Sequence, residues 1–96
     1  MSQSIIYTPN APAPIGPYSQ AVSLNGIVYL SGQIAIDPAT GVMSDGDLAT
    51  QTRMVMENIK AVLSAAGTNF STVIKTSIFL APGEDFATVN EIYSEY

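Results

Sequence analysis

The strongest pattern in the sequence is an apolar stripe that returns every three or four positions across residues 47–66. Its members are Leu48, Val55, Ile59, Val62 and Ala66, with Thr52 in the one gap. This spacing places them on one side of an α-helix, and the polar residues between them are predicted to face solvent. Gly67 follows directly and is the residue type expected just after a helix C-terminus.

Two β-prone runs, at residues 21–24 and 27–36, precede this helix and are joined by Asn25-Gly26. That dipeptide suits a hairpin turn whose two central residues both have positive φ. In the second run Val28 and Leu30 lie on one face, while Ile27 and Tyr29 lie on the other. Because both faces are apolar near the start of this run, both are predicted to be covered.

A third β-prone run spans residues 72–80, where β-branched residues alternate with others up to Pro82-Gly83. A second helix is predicted to begin near Glu84 and Asp85 and to carry a stripe of Phe86, Val89, Tyr93 and Tyr96. The predicted order is therefore β-β-α-β-α, an α+β fold with both helices on one sheet face. The opposite face has no predicted partner within the chain.

Residues 9–17 hold four prolines, which predict an extended, non-helical arm. Ile15 and Tyr18 are the apolar residues expected to pack this arm. Residues 37–41, Asp-Pro-Ala-Thr-Gly, have the composition of a turn.

Composition changes this picture in one respect. The 96 residues are 47% hydrophobic and only 11% charged, whereas a typical domain is about 25% charged. A small domain cannot bury that much apolar surface alone. The excess is predicted to be covered by other subunits, or by chain beyond these residues.

The chain has no cysteine and no histidine. Disulfides, thiolate nucleophiles, Ser-His dyads and zinc sites built on those ligands are thereby excluded. The net charge of −5 opposes binding to nucleic acid and to anionic membranes. The first residues lack the signature of a secretory signal, and no run approaches the roughly 20 apolar residues of a membrane span, so a cytoplasmic protein is expected.

Several segments together resemble one family. They are Ala-Pro-Ile-Gly-Pro-Tyr-Ser-Gln-Ala (13–21), Leu-Ser-Gly-Gln-Ile (30–34), Ala-Ala-Gly (65–67), Val-Ile-Lys-Thr (73–76), Ile-Phe-Leu (78–80) and Asp-Phe-Ala-Thr-Val-Asn (85–90) followed by Tyr93. In order and spacing these segments resemble the Rid family, also called the YjgF family. The resemblance covers nearly the whole chain.

The resemblance implies one domain over residues 1–96 with a chorismate-mutase-like fold. It also implies a homotrimer whose sheets form a barrel, with substrate pockets between subunits. Family members hydrolyse reactive 2-imino and enamine acids, such as imines derived from 2-aminoacrylate, to 2-oxo acids and ammonia. They use no metal and no organic cofactor.

Four residues match pocket positions of the family. Tyr18 and Ser31 are the implied catalytic residues, since their hydroxyls can donate or accept hydrogen bonds near the substrate. Gly32 and Asn90 are the implied substrate-binding residues: the glycine would let backbone approach closely, and the asparagine would line the cleft from the last helix.

The sequence departs from the family after the second helix. Members continue into two strands that carry an arginine for the substrate carboxylate and a glutamate that places the water, and neither has a counterpart here. Arg53, Lys60 and Lys75 lie in no motif that marks a replacement. The domain is therefore expected to be incomplete at its C-terminus, and the missing arginine is expected to weaken substrate binding, because a carboxylate is best held by a bidentate arginine. Whether the 96-residue form is active is left open by the sequence.

Simpler interpretations remain open for each residue. Ser31 could be an ordinary half-buried hydroxyl, Tyr18 could plug a subunit interface, and Asn90 could cap or bridge backbone. Glu84 and Asp85 are expected to cap a helix, not to form a catalytic pair. For the whole chain, the alternative to an enzyme is a non-catalytic trimeric module that binds small carboxylates or partner proteins. A ribonuclease fits the negative charge least.

Overall fold

The structure, a computed structural model, describes residues 3–96. It contains the strands β1 (Gln3–Ile6), β2 (Ala21–Leu24) and β3 (Ile27–Leu30), then helix α1 (Leu48–Ala65), a 3-10 helix (Phe70–Thr72) and helix α2 (Phe86–Tyr93). This α+β architecture agrees with the predicted fold class.

The three strands form one antiparallel sheet in the order β1-β2-β3. The β2-β3 hairpin turns at Asn25 and Gly26, whose φ values are 54° and 80°. The left-handed backbone costs little at asparagine and glycine, so this turn sets the register that pairs Leu24 with Ile27. The predicted hairpin is confirmed.

One sheet face packs on α1 and the other does not. Ile6, Val28 and Leu30 pack against a cluster of Ala11, Ala21 and Val62, the last of which is fully buried. The opposite face, here called the uncovered face, consists of Gln3, Ile5, Val22, Leu24, Ile27 and Tyr29. Ile5 is 72% exposed and Tyr29 is 58% exposed. Within residues 3–96 this face has no covering layer, as the sequence predicted for one of the two faces.

Both helices begin where the sequence placed them. Asp47 caps α1 by accepting a hydrogen bond from the backbone N–H of Thr50 at 2.8 Å, and Gly67 follows the C-cap with a φ of 81°. Asp85 caps α2 by accepting from the backbone N–H of Ala87 at 3.0 Å. No helix within residues 3–96 is long and apolar enough to cross a bilayer.

Contacts near the C-terminus hold the two helices together. Arg53 on α1 pairs with Glu95 at 2.9 Å, and the hydroxyl of Tyr96 donates to Glu57 at 2.8 Å. The ring of Tyr96 also meets Phe70 edge-on. Tyr96 therefore packs as predicted, although α2 itself ends at Tyr93.

The strand predicted at residues 72–80 is wrong. Residues 73–80 belong to no strand of the described chain, and Ile74 and Phe79 are almost fully exposed. A strand needs a neighbour that accepts and donates its backbone hydrogen bonds. The alternating sequence supplies the side chains for a sheet, but β1, β2 and β3 do not pair with this segment, so the predicted β-β-α-β-α order is not formed.

Three further predictions are corrected. The strand predicted over residues 27–36 ends at Leu30, beyond which only an isolated bridge joins Ile36 to Met43. β1 was not predicted, because Gln-Ser-Ile-Ile lacks alternation. The arm has no helix or strand, as expected, but Ile15 is 81% exposed and does not pack within this chain.

Candidate active site

The proline-rich arm and the segment after β3 enclose a small cavity of about 90 Å³. The arm contributes Pro12, Ile15 and Tyr18, and the segment after β3 contributes Gly32, Gln33 and Ile34. The cavity has room for several waters or for part of a small acid. It lies where two of the family-like segments of the sequence meet.

Gln20, which also lines the cavity, binds the backbone of the arm. Its side chain is almost fully buried. Its amide nitrogen donates to the carbonyl oxygens of Thr8 at 3.0 Å, Ala11 at 3.3 Å and Pro12 at 2.9 Å. Its amide oxygen accepts from the backbone N–H of Thr8 at 2.7 Å. An arm with four prolines offers few backbone donors, so this one amide supplies much of its hydrogen bonding.

Asn58 holds the opposite wall. This residue lies on α1 and is 2% exposed, and its amide nitrogen donates to the carbonyl oxygens of Ile34 at 3.2 Å and Ile36 at 3.0 Å. Both of those residues line the cavity. The Asn58 side chain thus fixes residues 34–36, which belong to no strand and form only an isolated bridge at Ile36.

Ser31 connects the two walls. Its backbone N–H donates to the carbonyl oxygen of Gln20 at 2.9 Å, and its hydroxyl donates to the carbonyl oxygen of Ser19 at 2.5 Å. The hydroxyl proton is therefore engaged inside the protein. Its oxygen keeps a lone pair that can accept one more hydrogen bond.

The structure brings together three of the four predicted residues. Tyr18 and Gly32 line the cavity, and Ser31 precedes Gly32. A side chain at Gly32 would meet no atom within 4 Å of its Cβ, so within this chain the glycine borders open space. Asn90 is exposed on α2 and does not line the cavity of its own chain, so the implied place of this residue in a cleft between subunits stays a prediction.

No cation lines this cavity in the described part of the chain. Arg53 is paired with Glu95, and the hydrogen bonds between them raise the pKa of the guanidinium and lower the pKa of the carboxyl. Lys75 lies in the exposed segment after the 3-10 helix. A substrate carboxylate in the cavity would need a positive partner from elsewhere.

A larger open groove of about 880 Å³ lies between α1 and the residues Thr8, Asn10, Asp37 and Pro38. Arg53, Glu57 and Lys60 are among its lining residues, but Tyr18, Gly32 and Asn90 are not. Charges of both signs along an exposed helix are typical of a solvated face. The smaller cavity is therefore the better candidate site.

Gln20 and Asn58 were not predicted from the sequence. Gln20 lies inside the quoted segment 13–21, and Asn58 lies beside the apolar stripe of α1. Neither position carries a signal in the sequence, since an amide next to apolar residues can equally well face solvent. Their role becomes visible only from the hydrogen bonds.

A family model described as Endoribonuclease L-PSP matches residues 8–96. A mouse (Mus musculus) protein named 2-iminobutanoate/2-iminopropanoate deaminase is 44% identical over 98% of this chain and 70% of its own length. The crystal structure of a Rid-family protein of unknown function from Yersinia pestis has a TM-score of 0.95 at 49% identity, covering 99% of this chain and 75% of that one. The structure of E. coli TdcF with bound serine has a TM-score of 0.90 at 43% identity, covering 96% of this chain and 72% of that one.

Proposed function

The chain belongs to the Rid family, and from that membership we propose that it is a hydrolytic deaminase of small 2-imino acids. The observation that carries the proposal is a small cavity lined by Tyr18 and Gly32, with Ser31 next to Gly32 in sequence, in a chain 44% identical to a mouse protein named for this activity. The bound serine in TdcF supports a ligand of amino-acid size.

The proposed reaction adds water across the C=N bond of a protonated imine. The carbinolamine that forms then loses its C–N bond, which leaves the 2-oxo acid and ammonium. No electrons are transferred, so the protein needs only to hold the imine and orient the water.

Each cavity residue has a proposed part in this step. The hydroxyl of Tyr18, which is half exposed at the cavity wall, would donate to or accept from the attacking water. The free lone pair of Ser31 would accept from the same water or from the iminium N–H. Gly32 leaves the space that the substrate would fill. Asn90 is proposed as a substrate contact only from across a subunit boundary, since it does not reach the cavity of its own chain.

We propose that the site is completed at a boundary between copies of the chain in a homotrimer. Two observations support this: the cavity has no cation of its own among residues 3–96, and the uncovered face is apolar. A neighbouring copy that covers this face could also supply groups to the cavity. The cytoplasmic location expected from the sequence stays a prediction, which fractionation of cells would test.

An enzymatic assay tests the deaminase proposal. A dehydratase that releases 2-imino acids from amino acids is mixed with the purified chain, and formation of the 2-oxo acid is followed. We expect formation faster than spontaneous hydrolysis, and slower by about tenfold or more after Tyr18→Phe. No acceleration over the spontaneous rate would refute the proposal.

The alternative is a module that binds small carboxylates without turnover, and the lack of a cavity cation is the observation that favours it. Titration with a 2-oxo acid separates the two. Saturable binding, together with a rate of imine hydrolysis no faster than the spontaneous rate, would favour the binding module. Ribonuclease activity, which the description of the family model names, is opposed by the net charge of −5.

A further inference from the structure

Two buried amide side chains bind backbone carbonyl groups on the opposite walls of the cavity. Gln20 binds three carbonyl oxygens and one N–H of residues 8–12. Asn58 binds two carbonyl oxygens of residues 34–36. Both walls are irregular backbone without a strand ladder, and irregular backbone depends on side chains for its hydrogen bonds.

We propose that Gln20 and Asn58 are positioning residues that set the width of the cavity and, through the backbone of Pro12, Ile34 and Ile36, the affinity for substrate. The inference rests on the proposed deaminase function. Neither amide is assigned to the chemistry: each acts through the backbone that it binds.

The geometry explains why an amide is required. Each nitrogen faces at least two carbonyl oxygens, so only a group with two or more N–H bonds satisfies them. A carboxylate of the same size would place oxygen against those carbonyls, and a buried carbonyl left without a donor is costly. The wall would then move away from its amide and the cavity would change shape.

A matched control exists on α1. The amide nitrogen of Gln51 also donates to two loop carbonyls, those of Ser44 at 3.1 Å and Gly46 at 3.2 Å, but this residue does not line the small cavity. Gln51→Glu therefore makes the same chemical change at a loop whose residues do not themselves line the cavity.

The test compares steady-state kinetics of imine hydrolysis for Gln20→Glu, Asn58→Asp and Gln51→Glu in the full chain. A purely structural role lowers the fraction of folded protein, which reduces the apparent kcat and leaves KM unchanged. A positioning role raises KM in the molecules that remain folded. We expect KM to rise by about tenfold for the two cavity variants and to stay within about twofold for Gln51→Glu.

Gln20→Asn keeps the chemical group but shortens its reach, and it provides a second variant if Gln20→Glu does not fold. We expect it to raise KM as well, because one methylene fewer breaks the contact with Pro12. Unchanged KM in every folded cavity variant would overturn the inference, as would an equal rise in Gln51→Glu. If the unsubstituted chain does not accelerate hydrolysis, the proposed deaminase function is refuted, and the positioning role with it. If the unsubstituted chain is active and the folded variants keep its KM, only the positioning role is refuted.

Discussion

At the residue scale, short polar side chains decide where the helices begin and how the walls of the cavity are held. Asp85 satisfies two donors of the first turn of α2, the backbone N–H of Ala87 at 3.0 Å and the hydroxyl of Thr88 at 2.9 Å. This confirms the capping role expected from the sequence, and it removes Asp85 from any catalytic pair.

Asp85→Ala should therefore destabilise the chain by about 1 kcal/mol, the usual effect of losing an N-cap side chain. Urea unfolding followed by circular dichroism measures this free energy. Asp45→Ala is the matched control, since Asp45 is exposed and caps neither helix. Equal stability of the two variants would contradict the assigned cap.

At the element scale, the two helices are joined by surface contacts that depend on pH. The hydrogen bonds from Arg53 lower the pKa of Glu95 below its ordinary value of 4.5, and those from Thr50 lower the pKa of Asp47 below 3.8. A carboxyl whose pKa is lowered on folding stabilises the folded state above its unfolded pKa. That contribution is lost as the pH falls through the folded pKa.

Unfolding midpoints in urea should thus fall as the pH is lowered from about 5 to about 3. Glu95→Gln should make this dependence shallower, because the variant has no carboxyl to protonate beside Arg53. Glu91→Gln, on α2 and outside the ion pair, should keep the original slope. Identical slopes for the two variants would show that the Arg53 contact does not stabilise the fold.

The elements that the sequence predicted correctly are those determined by local chemistry. The Asn25-Gly26 turn, the Asp47 cap with its apolar stripe, and the start of α2 each depend on residues close in sequence. The segment at residues 72–80 failed because a strand also needs a partner, and alternation does not say whether one is present. β1 was missed for the opposite reason. It has a partner in β2, but its four residues show no alternation of polar and apolar positions that would predict a strand.

The residues of the candidate site were likewise predicted only in part. Tyr18 and Gly32 line the same cavity and Ser31 is next to Gly32 in sequence, but the roles that the family resemblance implies for them stay predictions. Asn90 does not join them within one chain. Gln20 and Asn58 could not be identified in advance, because their burial depends on how the arm and the segment after β3 fold over the sheet and α1.

At the scale of the whole molecule, the uncovered face is an apolar surface that residues 3–96 leave exposed to solvent. Ile5, Val22 and Tyr29 form an apolar row across the three strands. Exposed apolar surface of this kind is a typical site of subunit association. A chain with 47% hydrophobic residues and 11% charged residues has few charges with which to keep such a face in solvent.

Sedimentation should accordingly find the chain as a trimer, and Tyr29→Glu should shift it toward smaller species, because a buried carboxylate without a partner is costly. Ser64→Glu adds the same charge on the exposed side of α1 and should leave the trimer intact. A well-folded monomer at all concentrations would contradict this account of the face.

The central claim is that the small cavity beside Tyr18 is where the imine is hydrolysed, and Gly32→Leu tests it most directly. Gly32 lines the cavity, and a Cβ at this position meets no atom within 4 Å, so a leucine there is expected to narrow the cavity mouth without a clash at its Cβ. We expect kcat/KM for the imine to fall by about tenfold or more with unfolding stability unchanged, while Ala87→Leu, exposed on α2, keeps its activity. Full activity in folded Gly32→Leu would place the reaction elsewhere in the molecule.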